Sequence, residues 1–245
     1  MWTSNDKVWL KENYPSLKKK SSSIIEGSLS FQALLLKGQL IINPSIDQIQ
    51  QTTVKDYLYI CDTYEIRIEW KKQGEPPAAF EIGGRLANEA KRLGKNLLDM
   101  HQFPQTEALC LASPMELHRR NGAHLDVFVE VFIVPYLFAQ SHYAKKQVWL
   151  WGELSHGFWG LLQWLGRRSR YDDKETEETY QNLWSQGDEE EIKRLLADRY
   201  RNFRPCVCGS GLRIRNCHPE IQVAISRIRG CISRGVITKT YSGRH

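Results

Sequence analysis

The first third of the chain alternates between apolar and polar residues in the way that is typical of strands. β-Branched and aromatic residues dominate four stretches, 23–31, 33–42, 58–61 and 64–70. We predict that these stretches form consecutive antiparallel strands, a meander. Pro76 and Pro77 lack amide donors, so the residues around them cannot form a central strand. We predict a loop there that ends in a short strand.

From residue 122 the pattern changes to one typical of helices. The segment 123–148, AHLDVFVEVFIVPYLFAQSHYAKKQV, is apolar on most faces, as expected of a central helix covered by a sheet and other elements. Pro135 predicts a kink or a break in it. The segment 149–168, WLWGELSHGFWGLLQWLGRR, predicts a loop and then a helix that ends near Gly166. The fold class is therefore α+β, an antiparallel sheet packed with helices.

The remaining segments suggest how the chain is divided. A short N-terminal helix over 5–13 is stopped by Pro15, and the polar run KKKSSS follows as a hinge. Residues 171–200 are acidic and only weakly amphipathic, which favours a surface helical connector. We predict an N-terminal helix and hinge, a main domain, a connector and a small C-terminal module, at 1–22, 23–168, 169–200 and 201–245.

Composition adds one feature, the position of the charge. The chain has 245 residues, 41% of them hydrophobic, and a net charge of +6. Residues 201–245 contain nine Lys or Arg and one acid, a net charge of +8, so the rest of the chain carries −2. The basic tail predicts contact with nucleic acid or with an acidic protein.

The sequence predicts a cytoplasmic protein with no membrane partner. It has no run of eighteen apolar residues, and its charged, amphipathic N-terminus lacks the apolar core of an export signal. In a reducing compartment cysteines remain thiols. We therefore interpret the six cysteines as ligands, nucleophiles or packing residues, with Cys61 and Cys231 in the packing class.

Three cysteines and a histidine lie close together near the C-terminus, and their spacing predicts a zinc site. Cys206, Cys208, Cys217 and His218 follow the pattern C-x-C-x8-C-H, and the glycines of 209–211 supply a tight turn between them. Four ligands complete a tetrahedron and leave no position for a catalytic water. The predicted Zn²⁺ is therefore structural, and chance clustering of buried cysteines is the alternative.

The same segment, PCVCGSGLRIRNCH, resembles the SEC-C motif, a small zinc-binding tail. The motif reads approximately PCPCGSG followed by a terminal CH pair, and Val207 stands where it has its second proline. The resemblance implies a metal-folded docking module. A tail of this length cannot build a sufficient core alone, so metal binding should be coupled to its folding.

Cys110 is the candidate nucleophile. It stands in the segment EALCLASP, between Pro104 and Pro114, so the thiol belongs to an irregular segment and not to a periodic element. Loops held by a rigid scaffold are where reactive groups are usually placed. The alternative is a small core hydrophobe between two leucines.

These residues resemble the ubiquitin-conjugating enzyme family. The resemblance covers the region from about Ser23 to Leu165 and consists of the meander, a proline-containing loop, a histidine nine residues before a cysteine in LCL, and then helices. Its bacterial branch, found in antiphage operons beside cGAS-like nucleotidyltransferases or ubiquitin-like proteins, is matched by EALCLASP and by WLWGELSHGFWG. On this alignment His101 is the motif histidine and Cys110 the thioester-forming cysteine.

The resemblance implies an acyl carrier in antiviral defence, the kind of system called CBASS. An activating enzyme would deliver the C-terminus of a ubiquitin-like protein or cGAS-like nucleotidyltransferase to Cys110, and an amine such as a lysine would then receive it. His101 has a structural place in the motif, and His156 is a candidate for a wall of the site. Phe103 stands where the family has the asparagine that stabilises the oxyanion.

Two other interpretations remain open at this point. An inactive relative of the fold could serve as a binding module, which the missing asparagine favours. A cysteine protease or acyltransferase could use Cys110 and His156 as a dyad, although no orienting Asn or Asp is identifiable.

Overall fold

A computed structural model describes most of the chain and divides it into two compact units. The described residues are 3–50, 57–72, 74–152, 154–155, 157–169, 171–186, 189–197, 204–206 and 210–238. The units are Met1–Gly152 and Glu153–His245. This division differs from the predicted one, which placed boundaries at residues 22, 168 and 200.

The first unit contains an antiparallel sheet. Its described strands are β1 (Leu17–Lys19), β2 (Ile24–Leu36), β3 (Gln39–Ile42), β4 (Tyr57–Glu69) and β5 (Ala78–Glu81). The order is β1-β2-β4-β5, with β3 also paired to β2. The α+β class and the antiparallel sheet are confirmed, and the prolines precede a short strand as predicted.

The central pair of strands is longer than predicted. β2 and β4 pair without interruption from Ile24 opposite Glu69 to Leu36 opposite Tyr57. The predicted breaks after residues 31 and 61 are therefore wrong. The chain turns instead at Lys37 and Gly38, whose φ angles of 49° and 81° suit a two-residue hairpin loop.

The N-terminal residues belong to the first unit. Helix α1 (Ser4–Asn13) begins at a capping box formed by Thr3 and Asp6. Strand β1 pairs with β2, and Leu10, Tyr14 and Leu17 lie in the core beneath the sheet. The segment predicted as a helix and a hinge thus contributes a strand and core residues, because its apolar side chains are spaced to reach the sheet.

This unit also contains helices. They are α2 (Ile46–Gln50), which buries none of its residues, and α3 (Arg85–Leu93), α4 (Pro114–Arg119) and one longer helix made of α5 (Leu125–Val127), a π-helical segment (Phe128–Ile133) and α6 (Val134–Lys146), which contribute side chains to the core. The wide π turn immediately precedes Pro135. It accommodates a ring that would otherwise clash with the preceding turn, so the predicted disturbance is a π segment within a helix.

The long helix also has the length and composition of a membrane span. Among the described residues it alone meets those criteria, over Leu125–Lys146, and 61% of its most apolar window is buried in the protein. Phe128, Ile133 and Leu137 are fully covered within the core. This burial is typical of the core helix of a globular unit.

A half-buried ion pair connects the sheet with two of these helices. Arg85 on α3 donates two hydrogen bonds of 2.7 Å to Asp62 on β4, and its guanidinium lies over the ring of Tyr64. Ser141 on α6 donates to the same carboxylate at 2.6 Å. Three elements are therefore joined through one acidic side chain.

The second unit is helical in its described part. It contains α7 (Gly157–Arg167), α8 (Asp173–Gln186), α9 (Glu189–Leu196), α10 (Ile214–Cys217) and α11 (Pro219–Ser233). One apolar cluster joins them, with Leu162 on α7, Tyr180 on α8, Ile192 on α9 and Ile225 on α11. Residues 169–200 were predicted as a surface connector, whereas α8 and α9 supply core residues. The apolar residues that do so, such as Tyr180 and Ile192, are few among many acidic ones, so the sequence pattern resembled that of a surface element.

Candidate functional site

Cys110 lies at the end of a short irregular hairpin. Phe103 donates its backbone N–H to the carbonyl of Ala108 at 2.9 Å, and Glu107 donates to the carbonyl of Phe103 at 2.7 Å, which closes the turn. The N–H of Cys110 then donates to the carbonyl of His101 at 2.7 Å. The candidate nucleophile and the candidate histidine therefore face each other across the base of this hairpin.

The hairpin is attached to the edge of the sheet. Leu109 is buried and donates its N–H to the carbonyl of Ala79 on β5 at 2.8 Å. Ala108 forms a bridge with Phe80 on the same strand. The next hydrogen bond, from Leu111 to the carbonyl of Leu109, makes a tight turn centred on Cys110. These hydrogen bonds fix the position of the Cys110 backbone at the edge of the sheet.

The Cys110 side chain is half-buried, and this burial raises the pKa of its thiol above the ordinary value. The cause is desolvation, which disfavours the thiolate because a charge is less stable away from water. At neutral pH the resting cysteine is consequently a thiol. A reaction at its sulfur needs either a base or an approaching substrate that stabilises the thiolate.

The His101 side chain packs against an aromatic ring. It meets Trp149 edge to face, with ring centroids 4.8 Å apart, and Trp149 in turn stacks on Tyr143 at 4.1 Å. The backbone of His101 has a positive φ of 53°. Trp149 was quoted in the sequence only as part of a motif, and no local signal in the sequence predicted that it would pack against His101.

Of the other residues considered for this site, only Phe103 is described. Phe103 lies in the turn of the hairpin and is 42% exposed. Because this residue is phenylalanine, its side chain offers no amide at the position where the resemblance expects asparagine. His156 lies outside the described residues. Ser155, its neighbour, donates its backbone N–H to the side-chain oxygen of Gln163 on α7 at 2.6 Å.

In the second unit, a hairpin and a helix start bring together the three predicted metal ligands that the structure describes. Pro205 forms a bridge with Arg213, and Cys206 donates its N–H to the carbonyl of Leu212 at 2.6 Å. The chain then passes through the single turn of α10 to Cys217 at its end. His218 follows at the N-cap of α11, where Pro219 occupies the first turn.

The side chains of Cys206, Cys217 and His218 converge. Their ligand atoms all lie within 4.8 Å of one another, and Cys206 Sγ lies 3.1 Å from His218 Nδ1. Ligands in a tetrahedral site with metal bonds of about 2.0–2.3 Å stand roughly 3.3–3.8 Å apart. These three residues can therefore share one metal ion with small side-chain adjustments.

The rest of the predicted metal site is only partly described. Cys208, the fourth predicted ligand, and Gly209 lie outside the described residues. Gly211 has the positive φ of 73° that the predicted tight turn requires. Ser210, which the sequence analysis did not single out, has its hydroxyl 3.2 Å from Cys217 Sγ.

The two cysteines assigned to packing differ from each other. Cys231 is fully buried in the core of the second unit, as predicted. Cys61 is exposed on β4, with its thiol 3.0 Å from the hydroxyl of Tyr59. The packing interpretation of Cys61 is wrong, because the strand alternates and this position faces away from the core.

Several arginines of the basic tail are used inside the second unit. Arg227 donates to the carbonyls of Leu165 and Arg168. Arg229 donates to the carbonyl of Leu195 at 2.9 Å. Arg234 pairs with Asp173 at 2.6 Å. Part of the charge that predicted an external partner therefore stabilises the unit itself.

No protein-family model, curated protein or solved structure matches the chain.

Proposed function

We propose that this chain is a ubiquitin-conjugating-type thioester carrier with Cys110 as its nucleophile. The observation that carries the proposal is the location of Cys110. It stands at a tight turn on a hairpin attached to β5, outside the helical core, and its thiol is half-buried instead of packed away. A cysteine kept for packing would need none of this support.

The proposed chemistry is two successive acyl transfers. In the first, the Cys110 sulfur attacks the carbonyl carbon of a thioester on an activating enzyme. A new C–S bond forms, the old C–S bond breaks, and the thiol proton passes to the departing sulfur. In the second, an amine attacks the Cys110 thioester and releases the thiol. A thioester lacks amide resonance, so this step needs neither metal nor ATP.

The raised pKa of the thiol affects how the first step begins. Because the resting sulfur is protonated, the attack depends on thiolate formed as the partner docks. Phe103 offers no amide side chain, and the N–H groups of residues 109–111 already donate to carbonyls, so the oxyanion has to be stabilised by a backbone amide or side chain other than these. His101 supports the hairpin in this proposal, and a role for His156 stays a prediction from the sequence.

The test is a charging reaction. The chain is incubated with ATP, an activating enzyme and a candidate ubiquitin-like protein or cGAS-like nucleotidyltransferase, and the products are separated with and without reductant. We expect a reductant-sensitive adduct that Cys110→Ser converts to a stable ester or abolishes. Cys61→Ser, at the exposed cysteine, is the matched control and should charge normally. No adduct with any cognate set would overturn the proposal.

The second candidate is an inactive binding module on the same scaffold. It is favoured by the protonated resting thiol and by Phe103 in place of an asparagine. This candidate predicts that a tail binds with equal affinity to the native chain and to Cys110→Ser, with no covalent adduct. A peptide cleaved in a Cys110-dependent way would instead favour the cysteine protease or acyltransferase.

We also propose that Cys206, Cys208, Cys217 and His218 hold a structural Zn²⁺ in a SEC-C-like docking module. Zinc would supply rigidity and no reaction step. Cys206, Cys217 and His218 support it by their convergence, and a thiolate and imidazole ligand set favours zinc over magnesium or calcium. One zinc per chain by elemental analysis, lost in Cys217→Ser, is the expected result.

The proposed setting is antiviral defence in the bacterial cytoplasm. The partners would be an activating enzyme, the carried protein and an acceptor amine, with an acidic protein or nucleic acid as a possible partner of the basic tail. Reading the neighbouring genes tests the setting directly. A nucleotidyltransferase or a ubiquitin-like protein encoded beside this chain is the expected finding.

A further inference from the structure

Two polar side chains of α6 hold the hairpin that carries Cys110. Gln140 is buried and donates its side-chain amide to the carbonyl of Met100 at 2.6 Å. The Tyr136 hydroxyl donates to the same carbonyl at 3.0 Å and lies 3.3 Å from the carbonyl of His101. Both residues stand one turn apart on the helix, so they face the hairpin together.

These contacts reach Cys110 through a single residue. The carbonyl of His101 that lies near Tyr136 is also the acceptor for the Cys110 N–H. The backbone of His101 has a positive φ of 53°, a left-handed conformation that histidine, asparagine and aspartate adopt more often than other residues with a side chain. The helix therefore holds His101 in this conformation, and His101 in turn holds the backbone of the cysteine.

We infer that Tyr136 and Gln140 are positioning residues for Cys110. They hold the base of the hairpin so that the sulfur keeps one orientation and remains half-buried until a partner docks. The reaction that this serves rests on the proposed function, but the positioning itself is a property of the free chain. Burial is the main cause that raises the pKa of Tyr136 well above its ordinary value; the hydrogen bond with Gln140 lowers this pKa, and the nearby Cys110 adds a smaller increase.

The test measures the reactivity of Cys110 without any partner. The native chain, Tyr136→Phe and Gln140→Met are alkylated with iodoacetamide from about pH 6 to about pH 10, and each cysteine is followed separately by mass spectrometry. Cys61, which is exposed, serves as the internal reference. Tyr14→Phe is the matched control, because the Tyr14 hydroxyl is buried in the same unit and has no hydrogen-bond partner among the described residues.

We expect both α6 variants to lower the pH midpoint of Cys110 alkylation, since a loosened hairpin exposes the sulfur to water. At a pH below the midpoint, the alkylation rate of Cys110 should rise about threefold for each pH unit by which the midpoint is lowered. The larger thiolate fraction increases the rate, and the weaker nucleophilicity of a thiolate with a lower pKa offsets part of that increase. If Tyr136 and Gln140 contributed only to stability, their variants would change the melting temperature, and the Cys110 midpoint would equal that of Tyr14→Phe. That result would overturn the inference.

The two variants guard against a failure to fold. Gln140→Met keeps the shape of the side chain, so it decides the outcome if Tyr136→Phe does not yield a folded protein. The charging reaction separates this inference from the proposed function. If the α6 variants shift the alkylation midpoint but the native chain never forms an adduct, the positioning role stands and the carrier function is wrong. If the native chain is charged normally but the α6 variants do not shift the midpoint, the carrier function stands and the positioning role is wrong.

Discussion

The backbone N–H of Cys110 and the carbonyl of His101 form a 2.7 Å hydrogen bond across the base of one hairpin. The two residues are nine positions apart in the sequence, and each was singled out there for its side chain. The structure relates them through the backbone, while the His101 ring packs on Trp149. The conformation of His101 is therefore the feature to test first.

Substitutions at His101 should separate its backbone role from its ring. His101→Asn and His101→Val both remove the contact with Trp149, but only asparagine tolerates a positive φ well. We expect His101→Val to be less stable than His101→Asn by about 1–2 kcal/mol in urea unfolding. Equal stabilities would show that the positive φ is not maintained in solution.

The native thiol of Cys110 should be slow to react at neutral pH. Burial raises its pKa, so the thiolate fraction near pH 7 is smaller than that of an ordinary cysteine and increases as the pH rises. We expect site-resolved alkylation to modify Cys61 before Cys110, with the gap narrowing above about pH 9. A Cys110 that reacts faster than Cys61 at neutral pH would contradict the described burial.

Acid should weaken the first unit through Asp62. Burial alone would raise the pKa of its carboxyl, but hydrogen bonds from Arg85 and Ser141 outweigh burial and lower the pKa from 3.8 to about 2. A lowered folded pKa stabilises the fold above the unfolded value and loses that contribution as the pH falls through the folded one. The stability advantage of the native chain over Asp62→Asn should be constant above about pH 5 and shrink between about pH 4 and pH 2.

A surface acid provides the control for this acid effect. Glu75 pairs with Lys72 at 3.2 Å, and both side chains are exposed. Glu75→Gln should change the unfolding free energy by less than about 0.5 kcal/mol at any of these pH values. Urea unfolding across the pH series measures both variants, and a shrinking difference for Glu75→Gln as well would point to global charge and not to Asp62.

Removal of the proposed zinc should affect the whole second unit. Ile214, beside the proposed metal ligands, shares one apolar cluster with Leu162 on α7 and Tyr180 on α8. If zinc holds the hairpin, a chelator should reduce hydrogen-exchange protection throughout α7, α8 and α11 and leave β2 and β4 unchanged. Loss of protection confined to residues 204–218 would show that the helices are stable without the metal.

Close packing between α7 and α11 makes Gly166 sensitive to substitution. A Cβ at this position would overlap the carbonyl oxygen of Glu220 on α11. We expect Gly166→Ala to destabilise the second unit by about 1–3 kcal/mol. Gly230→Ala is the control, because its Cβ would meet only the end of the Arg234 side chain at 3.2 Å, and alanine favours a helix. Thermal unfolding that ranks the two variants equally would contradict this packing.

Some features of the sequence were sufficient to predict local structure. Alternation located β4, prolines at 76 and 77 placed β5 after a loop, and the apolar segment around Pro135 predicted a disturbed central helix. Predictions about the length of strands and about which helices belong to a core were less accurate. The break predicted within β2 and the connector assigned to α8 both failed, because pairing and burial depend on partners distant in the chain.

The candidate sites show the same division. Spacing alone selected Cys206, Cys208, Cys217 and His218, since ligands of one metal must be close in a short hairpin, and the structure brings together the three of them that it describes. Nothing near Cys110 in the sequence indicated Tyr136 or Gln140, which lie about thirty residues away and reach it through main-chain carbonyls. Every residue has a backbone carbonyl, so a contact to one requires no particular residue type there. Such contacts are therefore not predictable from local sequence.

By itself the sequence determined the fold class and the order of the main elements, and it selected the candidates for a metal site and for a nucleophile, because these follow from periodicity, proline chemistry and ligand spacing. Only the tertiary structure decided that the chain divides at Gly152, that the acidic helices belong to the core of the second unit, and that Cys110 is half-buried. The physical reason is that division, burial and pKa are set by which distant segments pack together, and desolvation is a property of that packing.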